Sequence, residues 1–375
     1  MALQASGSAI SASGIRTEFG ASGTSNSVRL GGYRVSQTVS GLTNMPLDNG
    51  IPQSGTIKFS DFYSKKLNVV VDYTSPTIVT KVTGRSDYDA NNNKVVVIGG
   101  FRSRPANPAG TKVWIHTNGD IGSDVQSSTR SYASLLTGNW DSTTDLRVDI
   151  GPNGRVFGAG GDGGKGGNAD GTSASDGLPG GSGTSALGVN TTVFVIVTNR
   201  GRLQCGGGGG GGGGGAWARH TFYKLSCGFS ASYRISDAGG GGGGGGAGYP
   251  AGFGGLGGTT TEGDKGCDGS TSTSNGTAGD AGTLLNAGEG KPGGTANGFA
   301  SNAYGGSGAN GADTGSTASK GGNGTGTGTD GGDGKGGGQG GDSGYSIVVA
   351  NSSSGVSITN TGTLVGDIVY STLAT

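Results

Sequence analysis

Val195-Ile-Val-Thr-Asn-Arg-Gly201-Arg-Leu-Gln-Cys205 runs straight into ten consecutive glycines, Gly206–Gly215, and a second unbroken run of eight, Gly239–Gly246, follows. Much later the chain closes on the apolar stretch Tyr345-Ser-Ile-Val-Val-Ala350. Backbone entropy favours a flexible Gly/Ser linker here, because ordering glycine costs more than ordering any other residue. A linker, however, has no reason to be framed by β-rich segments. The fold turns on what backbone only glycine can build.

The strand–turn–strand pattern of that first stretch recurs. Val148-Asp-Ile150-Gly-Pro-Asn-Gly154-Arg-Val156-Phe-Gly158 aligns with Val195–Cys205, and both align with Val356-Ser-Ile358-Thr-Asn-Thr-Gly362-Thr-Leu364-Val-Gly366. Val113–Ile121 is a weaker copy. Repeated units of this kind predict stacked rungs, as in solenoids. Between rungs the non-glycine residues are spaced by three: Asp162, Lys165 and Asn168, then Asp330 with Asp333, and Gln339 with Asp342. Three residues per turn is the period of the polyproline-II helix, which has no internal hydrogen bonds. Its N–H and C=O groups must be satisfied by neighbours. Side-by-side packing achieves this only where no Cβ intervenes. Interior helices then need glycine throughout, while outer ones show one side chain per turn. The two runs fit interior helices of about 31 and 25 Å. Collagen is excluded, because there is no continuous G-X-Y register and there are only nine prolines.

Glycine makes up 90 of the 375 residues, and charged residues are 13%, about half the usual share. Lys+Arg and Asp+Glu are both 25, so no net charge steers the chain toward nucleic acid or an anionic membrane. The longest apolar runs, such as Val193–Val197, are far shorter than a membrane span. The opening residues show no secretory signal. Cys205, Cys227 and Cys267 make no disulfide framework or zinc motif and read as reduced, partly buried residues.

Three zones follow. In residues 1–64, Ser6–Ile15 and Ser54–Phe62 are related pieces, each an extended stretch, a serine N-cap and a brief helix. With too few apolar residues for its own core, this zone is predicted to dock on a partner through Ile10, Ile15, Phe19, Ile57, Phe59, Phe62 and Tyr63. Residues 65–157 read as a β domain with strands near 67–73, 77–82, 95–98, 112–116 and 146–150, carrying Trp114 and Trp140. Residues 158–375 are the Gly-rich zone.

The segment from Val148 through Gly-Gly-Asp-Gly-Gly-Lys-Gly-Gly, and the later one from Val195 through poly-Gly to Ala216-Trp217-Ala218, resemble the Gly-rich tip adhesins of T-even-type phage long tail fibres. The C-terminal part of lambdoid central tail fibre proteins is similar. The resemblance covers roughly residues 145–370. It implies a polyglycine-II sandwich whose distal loops contact a host receptor. The first 64 residues resemble a Ser-Gly-x-Ile-Ser module that begins many structural proteins of marine and cyanobacterial phages. That module and the larger β domain depart from the T-even pattern. The fold class expected is mainly β: an N-terminal docking module, a β domain, and a polyglycine-II helix bundle with tip loops capped by short β rungs.

On this reading the interruptions between glycine runs are tips. The richest, 216–238, holds Trp217, Arg219, His220, Phe222, Tyr223, Lys224, Phe229, Tyr233 and Arg234, which suit sugar rings or outer-membrane protein loops. A hairpin capping the bundle edge explains the same residues. Tyr249, Pro250, Phe253 and Leu256 form a second aromatic candidate, and Glu262–Asn275 and Leu284–Tyr304 are polar ones.

Chemistry is sparse. Val95–Gly100 runs into Arg-Pro rather than a helix, and Lys165 and Lys335 are followed by glycine, so neither a dinucleotide site nor a P-loop is present. Gly337–Gly344 is one imperfect copy of a calcium β-roll nonapeptide. His116 and His220 lack a nucleophile partner; Asp145 and Asp149 are the pair a glycan depolymerase would need. No metal, cofactor or catalytic residue is expected.

The function expected is a phage virion tail protein, a host receptor-binding adhesin that presents aromatic loops from a rigid glycine-rich sandwich and is assembled in the host cytoplasm. Its partners are other tail or fibre proteins and a host-surface glycan or outer-membrane protein, without nucleic acid or membrane insertion. A purely architectural virion component, a glycan-degrading enzyme and an ice-binding glycine sandwich are the alternatives, in that order.

Overall fold

The computed structural model describes residues 3, 5–19, 29–34, 38–39, 42–43, 51–52, 54–73, 77–78, 110–123, 129–138, 140, 142–189, 193–223, 231–266, 269–298, 300–350 and 355–372. The expected strand at 95–98, the part of 77–82 beyond Ile78, and Lys224, Cys227, Phe229 and Cys267 lie outside them.

The fold is mainly β, and its frame is a three-sided parallel solenoid. One face stacks Val69–Tyr73, Lys112–Thr117, Asp145–Ile150, Val195–Asn199 and Val356–Asn360. The second stacks Thr77–Ile78, Asp120–Gly122, Arg155–Phe157, Arg202–Gln204 and Thr363–Val365. The third stacks Ala133–Leu136, Ser185–Val189, Ile347–Ala350 and Ile368–Ser371. Alternate residues point inward, and Val113, Ile115, Val148, Val156, Leu187, Val197, Leu203 and Val349 from all three faces meet in one core. Burying each such side chain stabilises by about 1.5–3 kcal/mol. At the corner between the first two faces, Asn199 Nδ2 donates to Asn360 Oδ1 and to the Thr363 carbonyl, both at 2.9 Å.

The sequence repeats are these rungs, with one correction. The alignment sets Val148 beside Val195, but the structure pairs Val148 with Val197, while Arg155 does pair with Arg202. The turn at Ile150–Arg155 is two residues longer than its counterpart, and a slip of two leaves every side chain on its own face.

A second correction concerns the Gly-rich zone. It does not follow the β domain but is inserted into it. Residues 158–184 and 205–346 leave after Phe157 and Gln204 and return at Ser185 and Ile347, so the closing strands stack on the solenoid. The insertions form extended segments 158–168, 175–184, 205–215, 239–248, 250–259, 275–283, 286–294, 304–312, 316–324 and 335–344, linked by hydrogen bonds that recur every third residue. Segment 205–215 donates in rotation to three neighbours: Gly210 to Gly244, Gly211 to Ser319 and Gly212 to Leu178. It accepts from three more: Gly164 onto Gly210, Ala309 onto Gly211 and Gly338 onto Gly212. Segment 239–248 is likewise ringed by 158–168, 205–215, 250–259, 275–283, 286–294 and 304–312. The two glycine runs are therefore the buried centre, and the remaining segments form a closed ring around them.

Outer segments have N–H groups aimed away from the lattice, and their one-in-three side chains answer these. Asp162 Oδ1 accepts Phe253 N–H, Asn168 Oδ1 accepts Thr259, Asp176 accepts Gly336, Asn310 accepts Gly290 and Asp313 accepts Ala287, all at 2.8–2.9 Å. At Asp162 and Asn168 the period of three is thus a capping pattern, whereas Asp333 lies in the strand Gly332–Gly334 and Asp330 in the turn before it, outside the lattice segments.

The N-terminal zone was expected to lack a core. Instead Leu3, Ile15, Phe19, Tyr33, Ile51, Phe62 and Leu67 bury one another, with Phe19, Tyr33 and Phe62 ring centroids 5.5–6.0 Å apart. Ser11 Oγ accepts Gly14 N–H at 3.0 Å and caps the helix Ala12–Phe19. Of the docking residues, Ile15, Phe19 and Phe62 are therefore internal, Ile10, Ile57 and Tyr63 are half-buried, and Phe59 is exposed. The core was missed because its members are spread over more than sixty positions.

A methyl at Gly211 would overlap the Gly338 carbonyl oxygen, whereas at Gly336 it would meet only side-chain oxygens, the nearer at 3.5 Å. Gly211→Ala is therefore expected to cost more than about 3 kcal/mol or abolish folding. Gly336→Ala should be neutral, or stabilise by up to about 1 kcal/mol through the unfolded state. Thermal unfolding of the two variants side by side decides it; equal melting temperatures would refute the lattice.

Candidate functional site

At the end of the bundle away from the solenoid, two small sheets face each other. One joins Ser270–Ser274, Ala231–Ala238, Ala216–Tyr223 and Gly332–Gly334; the other joins Thr295–Gly298, Ser301–Tyr304 and Thr325–Gly328. Alanines 216, 218, 238, 296 and 303 fill the interface, so the sheets close on small side chains. Ser236 Oγ donates to the Ser301 carbonyl at 3.0 Å.

The antiparallel pairing of Ala216–Tyr223 with Ala231–Ala238 sorts the predicted residues by face. His220, Phe222 and Arg234 share the face of the alanines. The His220 ring stacks on Phe222 with centroids 6.5 Å apart, and the Arg234 guanidinium lies 5.1 Å from the Phe222 centroid. His220 Nδ1 bonds Thr329 Oγ1 and lies 3.6 Å from Asp330 Oδ2. The Thr221 backbone N–H, followed by the Thr329 hydroxyl, holds the Asp330 carboxyl below its usual range. On the opposite face the Arg219 guanidinium sits 4.5 Å over Tyr233, and the Trp217 ring lies along Gly331. Tyr223 is 72% exposed. The seven residues thus share one hairpin but are divided between its two faces, His220, Phe222 and Arg234 on one and Trp217, Arg219, Tyr233 and the exposed Tyr223 on the other.

Tyr249 and Phe253 are not among them. The Tyr249 carbonyl accepts Ser123 N–H at 2.9 Å and its ring packs on Gly122, at the solenoid end of the bundle. Phe253 and Leu256 stand three residues apart on the flank, 64% and 67% exposed. The reason is parity: successive extended segments run out and back, so every second interruption faces the solenoid. Residues 284–286 lie at that near end too, whereas Ser270–Ser274 and Thr295–Tyr304 are at the far end.

A far-end cleft of about 350 Å³ is lined by Asn168, Asp170, Ser173, Ser175, Thr259 and Thr261, together with Ala169 and Ala174. Sequence reasoning passed over it. The signal was the break in the glycine pattern at Ala169-Asp-Gly-Thr-Ser-Ala174, which closes on itself through the Ala169–Ala174 bridge and meets the next segment through Ala169–Thr260.

Beneath this loop Asp237 is fully buried. Its Oδ1 accepts Gly171 N–H at 2.8 Å and its Oδ2 has no partner. Burial, opposed by the Gly171 bond and reinforced by nearby Asp170, pushes the carboxyl up to about 6.

Elsewhere, His116 is wedged between carboxylates of adjacent rungs, with Nδ1 2.8 Å from Asp72 Oδ1 and Nε2 3.5 Å from Asp149 Oδ2. Asp149 also accepts from Arg200 at 2.8 Å, and Asp145 is held by Arg147. Asp145 and Asp149 are four residues apart on one strand, about 13 Å, beyond the reach of a paired-carboxylate mechanism. Cys205 is free and buried, its thiol pushed up to about 11 by burial.

No protein-family model and no curated protein matches the chain. Among solved structures it shows a likeness to the gp37–gp38 adhesin tip complex of the bacteriophage S16 long tail fibre. There is 17% identity over 86% of this chain and 90% of that one, with a TM-score of 0.31. A likeness that loose carries no argument about fold or function.

Asp237 titrates near 6 when folded and near 3.8 when unfolded. Its contribution is therefore fully present below pH 3.8 and lost as pH rises through 6. Asp237→Asn keeps the acceptor for Gly171 and removes the buried charge. The variant should melt higher than the parent at alkaline pH and equally in acid, as followed by differential scanning calorimetry. A difference that does not vary with pH would rule out the buried charge as its source.

Proposed function

We propose that this chain is a phage virion tail protein acting as a host receptor-binding adhesin. The three-residue lattice is read as a polyglycine-II bundle, and its far end as the surface that meets the host. The observation that carries this is the placement of Tyr223, Phe222, His220 and Arg234 at the end of the bundle opposite the solenoid. The sequence resemblance to Gly-rich tip adhesins supports it. Aromatic rings stacked with guanidinium groups are the residue types that dominate recognition surfaces. The N-terminal module is assigned to docking on another tail or fibre protein, with Phe59 as its exposed apolar residue. Assembly then occurs in the host cytoplasm and the protein travels in the virion. Binding and rigid display suffice for this role, so it asks for no metal, cofactor or catalytic group.

One observation favours a purely architectural virion role. Leu178, Phe253 and Leu256 are more than half exposed on the bundle flank, where a neighbouring subunit would cover them.

Purified protein is expected to block adsorption of its phage to host cells. The variant Phe222→Ala/Tyr223→Ala/Arg234→Ala, with an unchanged melting profile, should need at least about tenfold more protein for the same block. A folded wild type that assembles into virions yet never blocks adsorption would favour the architectural role.

A further inference from the structure

We propose that the far-end cleft between residues 168–175 and 259–261 is a binding site for a neutral saccharide; it rests on the adhesin reading for the source of that sugar, a bacterial surface glycan. The argument begins with which polar groups are already engaged. Asn168 Oδ1 accepts from the Thr259 N–H and hydroxyl at 2.9 and 3.2 Å, and the Ser175 hydroxyl oxygen accepts the Asn168 N–H at 2.8 Å. Asp170 Oδ1 takes the N–H of Thr172 and Ser173 at 3.1 and 2.7 Å. Asp170 Oδ2 is approached by the Ser173 hydroxyl alone, at 3.0 Å. Left over are the Asn168 Nδ2 donors, the Ser175 proton, the Thr261 hydroxyl and a lone pair on Asp170 Oδ2. These are donors and an acceptor fixed at the end of a hydrogen-bonded lattice.

A sugar ring offers that complement: hydroxyls that both donate and accept. The lining has no lysine or arginine, and its one charge is a carboxylate. Burial would raise that carboxylate, but the combined bonds from Ser173 and Thr172 outweigh burial and keep it ionised. Phosphate and uronate are therefore repelled. No large apolar or aromatic side chain lines the cleft, which excludes a flat hydrophobic ligand. Its volume is at the small end of ligand sites, about 300–1,000 Å³, and suits one or two sugar residues. The ordering entropy of the loop is already met by the bridges at Ala169, so binding need not supply it.

The test uses the full chain and saturation-transfer NMR with a panel of neutral hexoses, N-acetylhexosamines and deoxyhexoses at millimolar concentration. Glucuronate and inorganic phosphate serve as anionic competitors. At least one neutral sugar should give signal. Affinity should fall about tenfold or more in Asn168→Asp/Thr261→Val, which keeps the Thr259 cap and the shape of residue 261 while removing two donors. No neutral sugar bound by folded wild type, undiminished binding by a variant that melts normally, or displacement by phosphate or glucuronate would overturn the proposal. The adsorption assay separates the two ideas. Adsorption blocked without sugar binding leaves the adhesin and removes the cleft; sugar bound without any block does the reverse.

Discussion

The Gly-rich bundle depends on one contact: a glycine Cα set against the carbonyl oxygen of the neighbouring segment, so close that a methyl group would overlap it. Each such approach brings two backbones near enough for direct N–H···O=C bonds of about 2.8–3.0 Å, and in a threefold repeat these bonds radiate to six neighbours. The lattice has almost no apolar side chains to bury. Its cohesion comes from hydrogen bonds, each worth only about 0.5–1.5 kcal/mol net, against the largest backbone entropy of any residue type. Such a lattice is weak per residue and stable only where many bonds form together, which explains why the two all-glycine segments are the ones fully surrounded.

The solenoid supplies what the lattice lacks. Its valine and leucine core is a conventional hydrophobic one, and both insertions leave and re-enter on consecutive rungs at the same corner. Four chain crossings thus place the ends of 158–168, 175–184, 205–215 and 335–344 beside one another. Loop closure costs entropy that grows only slowly with length, so even the long insertion is tolerable once its ends are clamped. On this view the solenoid is the template for the bundle rather than a passive spacer.

Much of this was legible. The Val148, Val195 and Val356 repeats identified rungs because inward positions demand apolar residues at a period of two, and poly-Gly identified the interior because only glycine fits there. The rest was hidden for physical reasons. Insertion could not be read because strand pairing is nonlocal: nothing in Ile347–Ala350 says that its partner is Ser185–Val189. The assignment of Tyr249 to a tip failed because composition does not encode the alternation of out and back. Asp162 and Asn168 stand out in the sequence as one side chain per turn, but their task as caps needs the neighbouring segment to be known.

Those caps also bear on what the far end can be. A loop carried on a flexible stalk must be ordered when it binds, at about 0.5–1.5 kcal/mol per rotamer-rich side chain, besides its backbone. Here the hairpin strands continue directly from the two central segments, and the cleft-forming turn continues from 158–168. Each is held by a lattice in which several outward N–H groups are closed by Asp and Asn side chains. Glycine, the most flexible residue in a free chain, thereby becomes the stiffest support for a surface of small sheets and short turns. Most lattice bonds join backbone to backbone, although some far-end side chains, such as Asn168, also cap a neighbouring segment. A scaffold held mainly by backbone bonds puts few demands on the side chains of the strands and turns it carries, and that separation is the physical argument for seeking function at the far end rather than on the flank.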